Sequence, residues 1–206
     1  MKALVTGAAG FVGSHLVAHL LAEGDSVVGT DRTSGGPDLL DPDRLVDLLA
    51  DVRPDVVFHL AGQADVARSW TDPTSTIRTN TEGTHHLLGA ARTAKVRRVV
   101  TVTSADVYGI VGPDDLPLTE DAPFRPVSPY AASKAMADIL AQQHDTSFRQ
   151  RFEETAITVH QGYPPFESTI TLSMDGEPGN QEIESVVRII EGAASRDWGV
   201  IDHLMN

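Results

Sequence analysis

The sequence contains no cysteine, which removes a disulfide framework, a thiolate nucleophile and any cysteine-ligated metal. Basic residues are also scarce: 16 Lys and Arg stand against 29 Asp and Glu, a formal net charge of −13. Nucleic acids and anionic membranes both require a cationic face, so neither is an expected partner. No apolar run approaches the roughly 18 residues needed to span a bilayer. The N-terminal stretch, one lysine running straight into a glycine turn, has no signal-peptide core. A cytoplasmic location is the expectation. Aromatic residues make up only 5% of the chain, yet hydrophobic residues reach 41% and charged residues 22%, so a disordered chain is excluded. The 206 residues suffice for one good core with a small appendage, not for two full domains.

What is present begins at Leu4-Val5-Thr6-Gly7-Ala8-Ala9-Gly10-Phe11-Val12-Gly13. An apolar run ends in three glycines and an apolar periodic segment follows at once, which predicts strand, tight turn and helix. Gly7 lets the chain turn, Gly10 lets backbone approach a ligand, and Gly13 permits close packing of helix on strand. Free amides at the new helix's start then face a pyrophosphate. A second strand, Ser26 to Thr30, ends at Asp31, an acid placed to accept hydrogen bonds from an adenosine ribose. The combination predicts a dinucleotide site.

Strand and helix signals then alternate. Asp41-Pro42-Asp43 starts a helix with Asp41 as cap and Leu45, Val46, Leu48 and Leu49 as its buried stripe, and Pro54 stops it. Asp55 to Leu60 reads as a strand buried on both faces, ending in the small pair Ala61-Gly62. A helix over 73–94, a strand over 96–103, a long Gly- and Pro-rich loop from Gly109 and a helix from Ser128-Pro129 to about His144 follow. That last helix is expected to pack through Ala131, Ala135, Met136, Ile139 and Leu140. Repeated units of this kind imply right-handed crossovers and an α/β, Rossmann-type doubly wound parallel sheet. Beyond residue 150 the pattern weakens to candidate strands at 155–160 and 169–173 and an amphipathic helix at 181–194. Three arginines against ten acids give this segment a charge of −7.

Tyr130 and Lys134 lie four apart, so they share one helix face, where an ammonium favours a phenolate. Ser104 ends the preceding strand, where the sites of open parallel sheets form. With Thr6 to Gly13, these residues belong to a set of segments: His59-Leu60-Ala61-Gly62, Asn80-Thr81-Glu82-Gly83-Thr84, Thr103-Ser104-Ala105-Asp106-Val107-Tyr108-Gly109 and Ser128-Pro129-Tyr130-Ala131-Ala132-Ser133-Lys134. Together they resemble an extended short-chain dehydrogenase/reductase of the nucleotide-sugar epimerase, dehydratase and 4-keto reductase type, over about residues 1–148. Ser69-Trp70-Thr71-Asp72-Pro73, Leu116-Pro117-Leu118-Thr119-Glu120 and Arg125-Pro126-Val127-Ser128 resemble especially the branch handling GDP-mannose and GDP-4-keto-6-deoxymannose.

The resemblance implies roles by position. Tyr130 is the general acid/base, Lys134 lowers its pKa and holds the nicotinamide ribose, and Ser104 orients the reacting oxygen. Gly7, Gly10, Phe11, Val12 and Gly13 surround the pyrophosphate, and Leu60, Ala61 and Gly62 flank the cofactor. Asp31 favours NAD over NADP, with Arg32 beside it able to reverse that preference in part. Asp106 stands where dehydratases carry a proton-removing Glu and is one methylene shorter, so dehydration is the less favoured chemistry.

The expected activity is 4-keto reduction of a nucleotide-diphosphate sugar, with NAD as cofactor and NADP possible. The alternatives are an epimerase, a 4,6-dehydratase or a non-catalytic dinucleotide-binding protein. A homodimer through the helices at 73–94 and 129–144 is implied as well. The expected division is a dinucleotide-binding domain over 1–150 and a reduced, atypical substrate or lid region over 151–206. In that region Ala156 to Pro165 stands where the family carries an Arg-Pro-Phe-Asn-like segment.

Other polar residues carry blander expectations. His59 reads as a hydrogen-bonded core imidazole. His85 and His86, adjacent on a helix, point apart, and no metal is expected. Asn80 is expected to bond a neighbouring backbone. Arg68 and Trp70 either reach a substrate or serve as a loop cation and a packing anchor.

Overall fold

The first strand, β1 (Lys2–Thr6), runs through the middle of the molecule, and Ala3, Leu4 and Val5 are fully buried. Successive side chains of a strand point to opposite faces. Ala3 and Val5 accordingly join one apolar cluster and Leu4 joins the other. The computed structural model describes residues 1–116, 118, 119 and 122–149. The elements expected over 155–160, 169–173 and 181–194, and with them the region 151–206, lie outside the described residues.

Among the described residues four strands form one parallel sheet in the order β2-β1-β3-β4, with β2 at Ser26–Thr30, β3 at Val56–His59 and β4 at Arg98–Thr101. Leu4 sits opposite Val28 on one side and Val57 on the other. The chain steps outward from β1 to β2, then crosses back over β1 to reach β3. That reversal between β1 and β3 leaves a crevice at the carboxyl ends of the strands.

Helices cover both faces. Helix α1 (Phe11–Ala22) sets Leu16 and Leu20 against Ala3, Val5, Phe58 and Val100. On the other face α2 (Pro42–Val52) and α5 (Gly83–Thr93) bring Leu45, Leu49, Leu87 and Leu88 onto Leu4, Val57 and Val99. The sheet is therefore doubly wound, as expected. The start of α2 is also as expected: the Asp41 carboxylate accepts from the Arg44 amide at 3.2 Å and Pro42 occupies the first turn. Its end comes at Arg53, which adopts the left-handed conformation with φ 47°.

The described elements differ from the expectation in four places. The segment 73–94 is divided: α4 (Pro73–Ile77) leads into a π-helical turn (Arg78–Glu82) before α5. A further short helix, α3 (Val66–Thr71), precedes it, capped by Asp65 Oδ1, which accepts from the Arg68 amide at 3.0 Å. Strand β4 is shorter than 96–103 because the Val96 amide closes the end of α5 on the Ala91 carbonyl, with Lys95 at φ 56°.

Helix α6 (Pro129–Arg149) runs past residue 144 and packs through Ala131, Ala135, Ala137 and Ala141, all buried. Ile139, expected on that face, is 55% exposed, and Met136 and Leu140 are only half-buried. Small side chains let α6 lie close to α4, α5 and the π turn. The large ones point away.

One core feature is unfavourable. Thr101, opposite His59 in the β3–β4 register, is 3% exposed, and its hydroxyl is the only buried side-chain polar atom among the described residues without a hydrogen-bond partner. An unsatisfied buried hydroxyl costs about 1–3 kcal/mol. Thr101→Val is therefore expected to raise the unfolding free energy by about 1 kcal/mol in urea titration. A loss of stability would show that the hydroxyl has a partner.

Candidate functional site

At the crevice the backbone comes closer than side chains allow. Gly7 has φ 70°, and a Cβ there would lie 2.7 Å from the Ala61 nitrogen. A Cβ on Gly13 would lie 2.1 Å from the Gly7 carbonyl oxygen. Real Cβ atoms do not approach so near, so β1, the start of α1 and the end of β3 meet only because these residues are glycines. The Gly10 amide closes the turn on the Gly7 carbonyl at 2.9 Å. Helix α1 then begins without a side-chain cap, leaving its first amides directed outward. A cleft of about 440 Å³ opens in front of it.

Gly7, Gly10, Phe11, Val12 and Gly13 form the floor of this cleft, and Leu60, Ala61 and Gly62 form one side. Asp31 and Arg32 stand at the β2 end. All ten of these residues were expected at a dinucleotide. Asp31 caps a short turn, its Oδ1 accepting from the Thr33 amide at 2.8 Å and the Thr33 hydroxyl at 2.7 Å. Those bonds, with help from the Ala9 amide and the Arg32 charge, hold the carboxyl below the ordinary aspartate range. Arg32 turns aside to Asp38, Nη1 to Oδ2, at 3.6 Å.

The same cleft takes in residues that sequence reasoning left out. Asp38 and Leu39 line it beside Arg32, and Gln63, Ser75 and Thr79 close the far wall. Asp38 Oδ1 accepts from the Leu40 amide at 2.9 Å, a local turn for which the Gly-Gly-Pro-Asp run was the available signal. Arg68 also lines the cleft, whereas Trp70 is 64% exposed and anchors no packing.

Ser104, Asp106, Tyr130 and Lys134 lie beyond the cleft wall, and Gly62 joins the two regions. A Cβ on Gly62 would be 3.0 Å from Asn80 Oδ1 and 3.8 Å from Lys134 Nζ. Ser104 ends the strand segment, caps a short turn by accepting from the Asp106 amide at 3.3 Å, and hydrogen-bonds the Tyr130 phenol. Burial pushes that phenol above its usual pKa, the Ser104 bond opposes this, and the Asp106 carboxylate pushes it further up. Lys134 Nζ donates to the Val102 carbonyl at 3.0 Å, and burial lowers its ammonium to about 8. The expected lowering of the phenol by Lys134 is not among these influences, and burial raises the phenol instead. Asp106 is itself exposed.

The histidines settle into structural places. His59 is 3% exposed and bonded at both ring nitrogens, to Thr6 Oγ1 at 2.8 Å and Thr84 Oγ1 at 3.0 Å. His86 bonds the Leu39 carbonyl, and His85 meets His144 across α5 and α6. Among the described residues no group of three or more His, Asp or Glu side chains is placed to hold a metal ion. No described helix is long and apolar enough to cross a membrane.

A glycine cradle at a helix start beside a topological switch point, an acid at the end of β2 and a Tyr-Lys pair one helical turn apart next to it define a dinucleotide-binding α/β fold of the short-chain dehydrogenase/reductase kind. Residues 3–205 match the NAD dependent epimerase/dehydratase family, and the chain belongs to it. It is 44% identical over 163 residues to the UDP-glucose 4-epimerase of Mycolicibacterium smegmatis, an alignment covering 70% of this chain and 51% of that protein. It is 39% identical over 143 residues to the GDP-6-deoxy-D-mannose reductase of Pseudomonas aeruginosa, covering 69% and 46%. Among solved structures, MoeE5 in complex with UDP-glucose and NAD superposes with a TM-score of 0.62 at 39% identity, covering 70% of this chain and 49% of that one. The chain thus spans about half the length of these relatives.

Lys134 supplies a test of the electrostatics. Its folded pKa, about 8, lies below the ordinary 10.5, so the folded state disfavours the ammonium. The cost is full below pH 8 and fades as pH rises through 10.5, because over that interval the unfolded chain holds the extra proton. Lys134→Met removes the cost along with the Val102 bond. A net gain of about 1–2 kcal/mol in unfolding free energy is expected at pH 7, shrinking toward pH 10.5. A variant less stable at pH 7 would contradict this account.

Proposed function

We propose that this chain binds NAD and catalyses reduction of the 4-keto group of a nucleotide-diphosphate sugar, with Tyr130 as proton donor. The observation that carries the reading is the placement of Tyr130 beside Ser104 and one helical turn from Lys134, next to the glycine-lined cleft. Burial, with Asp106 adding to it, raises the phenol's pKa and so favours the form that can give a proton to a ketone.

The cofactor fits residues already in place. The Gly7-Gly10-Gly13 backbone would hold the pyrophosphate, since any Cβ at Gly7 or Gly13 would fill the space that brings the strands together. Asp31, ionised and anchored by Thr33, would accept the adenosine ribose hydroxyls and repel a 2′-phosphate, favouring NAD over NADP. Arg32 is drawn toward Asp38 and so offers a 2′-phosphate less help. Lys134 and Tyr130 would hold the nicotinamide ribose at the Gly62 end.

When bound, the reduced nicotinamide supplies a hydride to the carbonyl carbon. Tyr130 gives its proton to the carbonyl oxygen, and Ser104 hydrogen-bonds that oxygen and the phenol. Lys134 stabilises the phenolate that remains until solvent reprotonates it. Asp106 neither gives nor takes a proton in this route. The 4-epimerase is the second reading, favoured by the 44% identity to an enzyme of that name. In this proposal residues 151–206 form the substrate or lid region. Copies of the chain pair in the cytoplasm through the outer faces of α4, α5 and α6, where Ile77 and Ile139 are exposed.

The test uses NADH with GDP-4-keto-6-deoxymannose and, separately, UDP-glucose. Stoichiometric oxidation of NADH by the keto sugar is expected. Tyr130→Phe should lower turnover by about 10²–10⁴-fold, a far larger loss than any in NADH affinity read by calorimetry. Interconversion of UDP-glucose without net NADH oxidation would establish the epimerase instead. Undiminished turnover in Tyr130→Phe would remove the residue from the chemistry.

A further inference from the structure

The hydrogen bonds around His59 have a determined direction. The Thr84 hydroxyl donates to the Asn80 carbonyl at 2.6 Å, so its proton is committed. It can then only accept from His59 Nε2, at 3.0 Å, which places the imidazole proton on Nε2. A neutral ring with Nε2–H must accept at Nδ1, and there the Thr6 hydroxyl lies at 2.8 Å. Thr6 Oγ1 in turn accepts from the Ala61 amide at 3.2 Å. The sequence of donors runs one way: Ala61 amide, Thr6, His59, Thr84, Asn80 carbonyl.

Both ends of this chain touch the site. Thr6 immediately precedes Gly7, and Ala61 is the backbone against which Gly7 is pressed. At the other end Asn80 lies within the π-helical turn, a distortion frequent at functional sites. Its side chain grips the loop after β3, Oδ1 accepting from the Gln63 amide at 2.7 Å and Nδ2 donating to the Gln63 carbonyl at 2.9 Å. The same Nδ2 donates to Ser133 Oγ at 2.9 Å, and Ser133 Oγ donates to the Tyr130 carbonyl at 2.6 Å. Thr81 adds a bond to the Ser133 carbonyl at 3.1 Å. An unbroken series of hydrogen bonds therefore links the strand end before the glycine turn to the helix that carries Tyr130 and Lys134.

We propose that His59 is a positioning residue: as a neutral imidazole protonated at Nε2, it fixes Asn80 and, through it, the placement of Tyr130 and Lys134 relative to the glycine turn. The proposal rests on the dinucleotide reading of the cleft. It assigns work to a buried histidine that does not itself line that cleft. The groups facing the ring suit a neutral form, since both polar contacts are hydroxyls and the nearby charge is the Lys134 ammonium, which repels a second cation. Burial, with Lys134 adding to it, lowers the imidazole to about 3, so the chain persists throughout the neutral range.

Two substitutions separate the two bonds. An asparagine at 59 can keep the acceptor for Thr6 and loses the donor to Thr84, while a glutamine can keep the donor to Thr84 and loses the acceptor for Thr6. Binding is read by calorimetry with ADP, which engages the glycine turn and Asp31 alone, and with NADH, which adds the nicotinamide riboside. His59→Asn should leave ADP affinity within about twofold and weaken NADH about tenfold, and His59→Gln should restore most of that loss. Equal weakening of both ligands would reduce His59 to a folding role, and unchanged NADH binding in His59→Asn would overturn the proposal.

Nitrogen NMR of the wild-type imidazole gives a ligand-free reading. A proton on Nε2 with no titration between pH 8 and 5 is expected, and a proton on Nδ1 or a midpoint near 6.5 would defeat the proposal. If the wild type binds neither ADP nor NADH, the dinucleotide reading fails, and the NMR result alone decides the tautomer on which the positioning role depends.

Discussion

The contact between Gly13 and Gly7 sets the geometry of everything described. With a Cβ position 2.1 Å from a carbonyl oxygen, no other residue permits α1 to start where it does. Gly7 meets Ala61 almost as closely, so β1 and β3 are locked side by side at their carboxyl ends. From these two contacts follow the switch point, the uncapped start of α1 and the cleft before it. Apolar burial stabilises the sheet, but Ala3, Leu4, Val5 and Phe58 would serve many parallel sheets equally well. The absence of side chains at two positions makes this one a cradle.

That constraint explains why the cleft was legible in sequence. Glycine spacing is a statement about backbone, and backbone approach varies little with what surrounds it. Asp31 was legible for a similar reason, being fixed by its place one residue beyond β2. The π turn was not legible because its cause is tertiary: Asn80 holds it to Gln63 and Ser133, residues far away in sequence. The packed face of α6 was misread because apolar size was taken as the sign of burial. At this helix close approach required alanine, and Ile139 was left outside. For Asp38 the Gly-Gly-Pro-Asp run signalled a local turn, but not that the second carboxylate oxygen would lie 3.6 Å from Arg32 at the cleft.

Electrostatics divides along the same line. Spacing alone places an ammonium one turn from the phenol and suggests that it draws the phenol's pKa down. Depth decides otherwise. Burial opposes any change that creates charge, so the phenol rises while the ammonium and the His59 imidazole fall. Burial is the largest cause of all three, and its sign follows the charge that each group would gain or lose. In the reading proposed above, a carbonyl arriving there would meet the Tyr130 phenol beside Ser104.

The acidity of the chain as a whole appears at first to conflict with an anionic cofactor. The resolution is one of range. Charges separated by more than roughly 8–10 Å are screened at physiological salt, so only charges near the glycine turn act there. Within that radius the turn offers amides rather than side chains, and amides attract a phosphate without carrying a net charge of their own. The nearest acids are not indifferent, however. Asp31 is bonded to Thr33 and stays ionised, and Asp38 occupies Arg32, the neighbouring cation. The acid at the end of β2 would accept ribose hydroxyls and resist added phosphate. In the proposed complex, selectivity for the unphosphorylated dinucleotide would follow from where two carboxylates are tied, Asp31 to Thr33 and Asp38 to Arg32.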